Sequence, residues 1–167
     1  MSGRAFYQGT ALQLVDRDKK RVAVPATIRH AITRNSPSMG PKDLEITIAT
    51  HPKSVCLIGY DEGYLARRYE KAQRLEEMFL AEKGVENFNF MREASGGGEP
   101  VGLDSSGRFV LPGNLAKEVG IVDHAFFYGS MDVFEIWNPA ALMADPDVSP
   151  QLKRKLQIAA EEKGLQL

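Results

Sequence analysis

LVDRDKKRVAVP, residues 14–25, and LDSSGRFVLP, residues 103–112, share one pattern. In each stretch an Asp and a basic residue precede a short alternating strand, and a Pro stands four residues after the Arg. Arg21 and Pro25 therefore correspond to Arg108 and Pro112, and a stretch of helical pattern follows both prolines. The repetition predicts two copies of one supersecondary unit in the chain.

A second pair of segments matches further along the chain. LEITIATHPKSVCLIGYDEG (44–63) and HAFFYGSMDVFEIWNPAA (124–141) each indicate a strand, a polar turn and a second strand. The Arg–Pro pair is displaced by 87 residues between copies and Val55 by 78 from Val133, so copy one carries about nine extra residues. We place this insertion in a surface loop at 33–43, where Pro, Gly, Ser and Asn cluster.

Each copy is thus predicted to contain four short strands, with a helical turn after its proline. A unit of about 50 residues buries little apolar surface by itself. We therefore expect the two copies to pack together, with strands exchanged between them, in a two-fold arrangement within one chain.

Helices are predicted between and after the copies. Asp61 is a suitable N-cap for a helix that ends at Lys83–Gly84. Its apolar residues recur at steps of three and four and share one face: Leu65, Tyr69, Ala72, Leu75 and Phe79. Residues 87–94 favour a second short helix, and SGGGEP (95–100) favours a linker.

Two Asn/Ser-Pro pairs follow the second copy. Asn138–Pro139 and Ser149–Pro150 each indicate a cap followed by the first helical residue. The second pair starts a weakly amphipathic C-terminal helix with Leu152, Leu156 and Ala159 on one side.

Composition bounds the class of protein. The 167 residues, 43% hydrophobic and 26% charged, suit one ordinary globular domain or two small ones. No apolar run reaches the roughly 18 residues of a membrane span, and the N-terminal MSGRAFYQG lacks the apolar region of a secretory signal. A single cysteine, Cys56, excludes an internal disulfide framework and fits a reducing compartment, so we expect the cytoplasm.

Charge is distributed unevenly along the chain. The net charge is −1, yet residues 1–34 carry +5 and the rest of the chain −6. Such a basic end can concentrate positive potential on one surface of a nearly neutral protein.

No group of residues forms an enzyme pattern. The histidines at 30, 51 and 124 are not at metal-ligand spacing, and the glycines at 96–98 lack the Gly-Lys-Ser/Thr of a phosphate loop. Cys56, in the apolar segment SVCLIG, is interpreted as a buried structural thiol. Trp137 and Phe126–Phe127 could stack on single-stranded nucleic acid, but their positions in strands favour the core. We expect no catalytic residue, metal or cofactor.

Residues 16–21, DRDKKR, are six consecutive charged side chains in a predicted turn between strands. Lys and Arg in such a turn can contact phosphates, and Arg can donate two parallel hydrogen bonds to a guanine edge. Asp16 and Asp18 are predicted to hold the turn by bonds to backbone N–H groups and to orient Arg21. The alternative is a solvated hairpin tip, and the repeat is what favours DNA contact.

These residues resemble a known family. A basic loop, an Arg, a V-x-V-P strand end and a short helix make up the unit of AbrB/SpoVT-type swapped-hairpin DNA-binding domains. Two such units joined by helices resemble the MraZ family over about residues 5–145, most specifically at Asp104–Pro112, Arg21–Pro25 and FEIWNPAA (134–141). The resemblance implies an α+β fold of duplicated small β units in a pseudo-two-fold double-domain barrel with linking helices. It also implies ring-like homo-oligomers, a nucleoid location, and binding to short direct repeats of double-stranded DNA in the promoter of the division and cell-wall gene cluster.

The resemblance assigns the candidate DNA-binding residues. The DNA-contacting arginine corresponds to Arg21, because the following V-x-V-P fixes its register. Lys19 and Lys20 follow together and Arg17 comes after them, and Arg108 is secondary because its own loop is nearly uncharged. Asp16, Asp18 and Asp104 are the turn-supporting residues. Copy one departs from the family's D-x-x-x-R pattern, since Asp16 lies five residues before Arg21 and lysine stands at position 20 where glycine is usual.

The expected domain organisation is a first unit at 5–60, linking helices at 61–94, a second unit at 99–145 and a C-terminal helical tail at 146–167. The competing hypothesis is a protein-interaction module, antitoxin-like or a scaffold, that would use the acidic 61–86 helix and the tail rather than DNA. An enzyme is the weakest hypothesis.

Overall fold

The computed structural model describes residues 3–167 as an α+β protein built on a mostly antiparallel sheet. Its strands are β1 (Thr10–Leu14), β2 (Arg21–Ala23), β3 (Glu45–Thr50), β4 (Leu57–Tyr60), β5 (Glu99–Gly102), β6 (Arg108–Val110), β7 (His124–Ser130) and β8 (Val133–Trp137). Its helices are α1 (Ala26–Asn35), α2 (Glu62–Lys83), α3 (Asn89–Ser95), α4 (Gly113–Val119), α5 (Pro139–Ala144) and α6 (Pro150–Glu162). No helix in this part of the chain is long and apolar enough to cross a membrane.

Six strands form one sheet in the order β1-β7-β8-β4-β3-β5, and β2 pairs with β6 in a separate two-stranded ribbon. In chain order, β5 to β8 can be matched one to one with β1 to β4. The sheet order then reads the same from either end after each strand is exchanged for its counterpart. Counterparts pair with each other at the centre, β4 with β8 and β2 with β6, whereas β1 pairs with β7 and β5 with β3.

The main core lies between one face of the sheet, the two-stranded ribbon, α1 and α4. Alternation within each strand explains which side chains enter it. In β7, Ala125 and Phe127 face this core, while Phe126 faces the opposite side. In the ribbon, Val22 and Phe109 pair directly and are both buried.

The opposite face of the sheet is covered in two parts. At the β1 end, α5 and α6 pack over a cluster that contains Trp137, Phe126 and Cys56. At the other end, α2 begins over Ile58 and Tyr60, with Tyr64 against the Tyr60 ring. The aromatic residues considered for stacking on nucleic acid are therefore core residues, and the prediction that Cys56 is buried is confirmed.

The predicted caps are confirmed. Asp61 accepts a hydrogen bond from the Tyr64 N–H at the start of α2, and Gly84 ends that helix with φ +72°. Asn138 and Ser149 cap α5 and α6 in the same way, each followed by Pro. A helix cap is a local interaction between a side chain and the backbone a few residues away, so the sequence alone can predict where it forms.

Three details differ from the sequence prediction. The linker at 95–100 is shorter than predicted, because Glu99 and Pro100 already belong to β5. This is an edge strand, which tolerates a proline that has no N–H to donate to a neighbouring strand. The apolar face of α2 exists but is mostly uncovered, since Ala72 is the only buried residue of that helix. In α6 it is Ala160 rather than Ala159 that completes the buried side with Leu152 and Leu156.

A buried polar network ties the start of α2 to the rest of the chain. Asp61 accepts hydrogen bonds from Arg4 at 2.9 Å and from the Tyr7 hydroxyl at 2.6 Å. Asn35, at the end of α1, donates to Asp61 and also pairs with the backbone of Ala5. Burial raises the pKa of the Tyr7 hydroxyl, which therefore stays protonated and donates. The network fixes the N-terminal segment, α1 and α2 relative to one another.

Candidate nucleic-acid interface

The two-stranded ribbon brings the two copies of the arginine motif together. Arg21 lies opposite Val110, and Ala23 lies opposite Arg108. Residues directly opposite each other, and residues two apart in a strand, share one face, so all four side chains project from the outer face of the ribbon. Arg21 and Arg108 are diagonal neighbours, a geometry that separates residues by about 7–8 Å.

The first loop, residues 16–20, is held by Asp16. Its Oδ1 accepts hydrogen bonds from the backbone N–H groups of Asp18 at 2.9 Å and Lys19 at 3.3 Å, and its Oδ2 lies 3.6 Å from Arg21 Nη2. The N–H groups of Lys19 and Asp18 lower the pKa of Asp16. Asp18 contributes its backbone N–H to this turn rather than its carboxylate. The loop therefore presents its side chains outward from a turn fixed by one aspartate.

The second loop, residues 104–107, repeats this arrangement. Asp104 accepts from the N–H groups of Ser106 and Arg108, and its Oδ2 lies 3.0 Å from Arg108 Nε. The Arg108 N–H is the main cause of a lowered pKa for Asp104. The backbone bonds correspond as well: Leu111 donates to the Lys20 carbonyl and Val24 to the Gly107 carbonyl, both at 2.9 Å.

Lys20 and Gly107 occupy equivalent positions with left-handed backbone conformations, φ +56° and +77°. A lysine there is strained, whereas glycine is not. The extra residue of the first loop is thus accommodated without loss of the left-handed turn before Arg21. The first loop thus carries a cation at a left-handed position where the second loop has glycine, the residue that best suits this backbone conformation.

Arg17 is exposed but already has a partner. Its Nε and Nη2 donate to the two carboxylate oxygens of Asp123 at 2.6 and 2.7 Å. This bond lowers the pKa of Asp123. Lys19 extends into solvent from the same loop, and Lys20 is partly exposed. Among the cations of the first loop, Arg17 is therefore paired with a carboxylate, whereas Lys19 extends freely into solvent.

Arg29, on α1, is a further cation beside the second loop, one that the sequence pattern did not single out. Its Nη2 lies 3.4 Å from the Ser105 carbonyl, and its side chain passes so close to Gly107 that a Cβ there would lie 2.8 Å from Arg29 Cδ. Helix α1 thus supplies a cation beside the nearly uncharged second loop. The sequence signal was present, as Arg29 belongs to the basic N-terminal third, but its partner loop lies far away in the chain.

Other chemistry is sparse in the described residues. Between residues 3 and 167 no group of three or more His, Cys, Asp or Glu side chains is placed to hold a metal ion. Burial raises the pKa of the Cys56 thiol, which disfavours the nucleophilic thiolate. Five cations lie on or beside the outer face of the ribbon and its two loops: Lys19, Lys20, Arg21, Arg29 and Arg108.

No protein-family model matches the chain. Several known proteins do, along most of their length. A protein named transcriptional regulator MraZ from Ruegeria sp. strain TM1040 is 30% identical over 141 residues, which cover 82% of this chain and 79% of that protein. The protein of the same name from Rhodospirillum rubrum is 30% identical over 145 residues, 87% of each chain. That from Ruegeria pomeroyi is 29% identical over 137 residues, 80% of this chain and 78% of its own.

The described chain is thus an α+β protein with a cationic two-stranded ribbon on its surface. By its similarity to these relatives, it belongs to the MraZ family.

Proposed function

We propose that this protein is a transcriptional regulator that binds duplex DNA through the outer face of the two-stranded ribbon. The observation that carries the proposal is the placement of Arg21 and Arg108 on one exposed face, each beside a loop held by an aspartate. A two-stranded ribbon fits the major groove, where Arg can donate two bonds to a guanine edge. The relatives named as transcriptional regulators support the same function.

The residues of this face have distinct roles in the proposal. Arg21 reads a base edge, while Lys19 and Lys20 neutralise phosphates beside the first loop. Arg108 is the secondary base contact. Arg29 provides a phosphate contact beside the loop at 104–107, which has no cation of its own. Arg17 binds a phosphate only when it leaves Asp123. Asp16 and Asp104 orient the arginines, whereas Asp18 offers only its backbone to the turn.

Val110 extends the reading surface. It lies directly opposite Arg21 and is 55% exposed. A valine methyl beside an arginine suits a thymine methyl next to a guanine in the major groove. The ribbon face therefore offers both polar and apolar base contacts.

The architecture that we propose is a duplicated, swapped-hairpin fold within one chain. The first unit spans 5–60 and the second 99–145, with linking helices at 61–94 and a helical tail at 146–167. The pairing of β1 with β7 and of β5 with β3 supports exchange of strands between the units. The equivalent loop hydrogen bonds on Lys20 and Gly107 support a pseudo-two-fold axis through the ribbon.

Self-association completes the proposal. One ribbon per chain contacts few phosphates, so a single copy binds weakly. A ring-like homo-oligomer that contacts several short direct repeats, in the promoter of its own division and cell-wall gene cluster, gains affinity through effective concentration. This places the protein at the nucleoid in the cytoplasm.

The test is a binding series on the DNA upstream of its own gene, measured from low to high salt. We expect Arg21→Ala to abolish specific binding and Lys20→Ala to weaken it, while the oligomer stays intact. Each lost phosphate contact should lower the salt slope by about 0.9. Arg74→Ala, at an exposed arginine on α2, is the matched control. Binding that is indifferent to both salt and Arg21 would contradict the proposal.

A further inference from the structure

Helix α2 projects from the body of the protein. It has 22 residues, which at 1.5 Å per residue make it about 33 Å long. Its first turn is anchored through Asp61, but towards its far end it contacts mainly α3, for example through Phe79 against the Phe90 ring at 5.9 Å. We call residues 76–88, where the two helices meet, the helical tip.

The helical tip exposes apolar side chains that a lone chain leaves in water. Those more than two-fifths exposed are Met78 (67%), Leu80 (45%), Val85 (59%) and Phe88 (61%). Exposed apolar groups clustered on one element are typical of a protein interface. The tip therefore needs an occupant with an apolar surface of its own.

The same tip is acidic. Glu76, Glu77 and Glu86 line a shallow cleft of about 240 Å³ with Leu80 and Phe88. Glu76 Oε1 is buried and accepts no hydrogen bond from any described residue. A buried, unpaired carboxylate oxygen is costly and is relieved by a cation from outside. The partner of the tip should thus be basic as well as apolar.

A surface of that description lies at the other end of α2. The N-terminal segment and the outer side of α1 enclose a groove of about 760 Å³, which we call the basic groove. Phe6 is 54% exposed within it, and His30 and Arg34 are exposed along it. Ala26 and Ala31 complete its apolar floor.

A chain cannot place its own tip in its own groove. Arg4, on the wall of the groove, binds Asp61 at 2.9 Å, so the groove adjoins the first turn of α2. The tip lies at the far end of the same helix, about 30 Å away. An unbroken helix between the two surfaces keeps them apart.

We propose that the helical tip of one copy docks in the basic groove of the next copy, with the tip carboxylates facing Arg34 and His30 and Phe88 packing near Phe6. Such a contact joins different surfaces and therefore repeats from copy to copy, closing into a ring when the rotation allows. The inference rests on the self-association in the proposed function and assigns the surfaces that produce it. DNA is a poorer occupant of the groove, because its centre is apolar and Arg4 is already paired.

The test uses one substitution on each surface, Phe88→Asp at the tip and Phe6→Asp in the groove, with Ile158→Asp as control. Ile158 is similarly exposed, at 57%, but lies on α6 and lines neither the basic groove nor the cleft at the tip. Molar mass is measured by light scattering on the full-length protein without DNA. We expect multiples of 18.5 kDa for the unsubstituted chain and the control, and single chains for each variant. An equimolar mixture of the two variants retains one intact tip and one intact groove, so it should form 1:1 dimers.

A charge exchange gives a second readout that is independent of the phenylalanines. Arg34→Glu should weaken assembly, and Arg34→Glu combined with Glu77→Arg in one chain should restore it. Unchanged mass in both single phenylalanine variants would overturn the proposal, as would single chains that fail to pair on mixing.

DNA binding separates this inference from the proposed function. Affinity for one isolated repeat should be the same for Phe88→Asp, Phe6→Asp and the unsubstituted protein, whereas Arg21→Ala should lose it and keep its mass. If Phe6→Asp instead weakens single-repeat binding without changing the mass, the groove belongs to DNA and the docking proposal is wrong. If no chain binds DNA while assembly behaves as expected, it is the proposed function that fails.

Discussion

Arg17 and Asp123 form a two-point ion pair that joins the first loop to the start of β7, with N–O distances of 2.6 and 2.7 Å. Both side chains are accessible to solvent, so the pair can exchange with an external anion. A DNA phosphate that approaches the loop must therefore compete with Asp123 for Arg17. The carboxylate also lowers the positive potential of the loop.

Asp123→Asn should strengthen DNA binding a few-fold. The substitution frees Arg17 and removes a negative charge beside the basic loop, and charges at the rim of an interface act mainly on association rate and salt dependence. The measurement is affinity and association rate for the upstream DNA at several salt concentrations. Asp147→Asn, at an exposed aspartate distant in the chain, is the control. Weaker or unaltered binding of Asp123→Asn would mean that the pair is needed to shape the loop.

Lys20→Gly and Lys20→Ala should separate the charge of this residue from its backbone strain. Both remove the cation and should reduce DNA affinity equally. Only alanine keeps a Cβ at φ +56°, so the glycine variant should be more stable than the alanine variant by about 1 kcal/mol. Urea unfolding at a fixed protein concentration gives the difference. Equal stabilities would show that the turn relaxes when the side chain is shortened.

Gly59→Ala should destabilise the sheet by about 1–3 kcal/mol, the range for overpacking a core. Gly59 lies opposite Phe134, and a Cβ would stand 2.2 Å from the tip of that ring. The ring cannot move aside, because it is fully buried between Tyr7 and Phe127. Gly102→Ala, where a Cβ meets no atom within 4 Å, should be nearly neutral. Thermal unfolding of the two variants decides whether the Phe134 contact is the cause.

Asp61→Asn should be strongly destabilising at neutral pH, by about 3 kcal/mol, since it leaves Arg4 and its partners without the buried carboxylate. Burial by itself would raise the pKa of Asp61, but the bonds from Arg4, Tyr7 and the Tyr64 N–H hold it below its usual range. A carboxyl with a depressed folded-state pKa stabilises the protein above the unfolded-state pKa, and that contribution disappears as the pH falls through the folded-state pKa.

The difference in unfolding free energy between the unsubstituted protein and Asp61→Asn should therefore be constant at neutral pH. It should begin to shrink below a pH of about 4, the usual pKa of an aspartate. Chemical unfolding from pH 7 to pH 3 measures it, with Asp147→Asn as the control. A difference that does not change with pH would mean that charge at Asp61 is not what stabilises the network.

Sequence predicted the parts of this fold that depend on neighbours in the chain. The helix caps at Asp61, Asn138 and Ser149 are set by side chains that bond to backbone two or three residues away. The repeated Arg–Pro motif marked the two ribbon strands, because alternation and proline act over a few residues. Burial of Trp137 followed from its place in a strand.

What the sequence could not supply are contacts between distant segments. Arg17 with Asp123, and Arg29 with the Ser105 loop, join residues whose approach depends on pairing between strands far apart in the chain. A strand of three residues such as β2 carries no signal that identifies its partner strand. The pairing of β2 with β6 could therefore not be predicted from the sequence. Periodicity showed which side chains of α2 share a face, but it does not tell whether anything covers that face.

The pairing of β1 with β7 has a consequence for synthesis on the ribosome. Thr10 of β1 pairs with Tyr128 of β7, so the first strand emerges long before its partner has been translated. At 5–20 residues per second the wait is roughly ten seconds. During this interval the edge of β3 destined for β5 is also open, which invites pairing with another nascent chain. Neighbouring ribosomes on one messenger could thus produce intertwined pairs of chains, and slower translation between residues 60 and 100 should increase their yield.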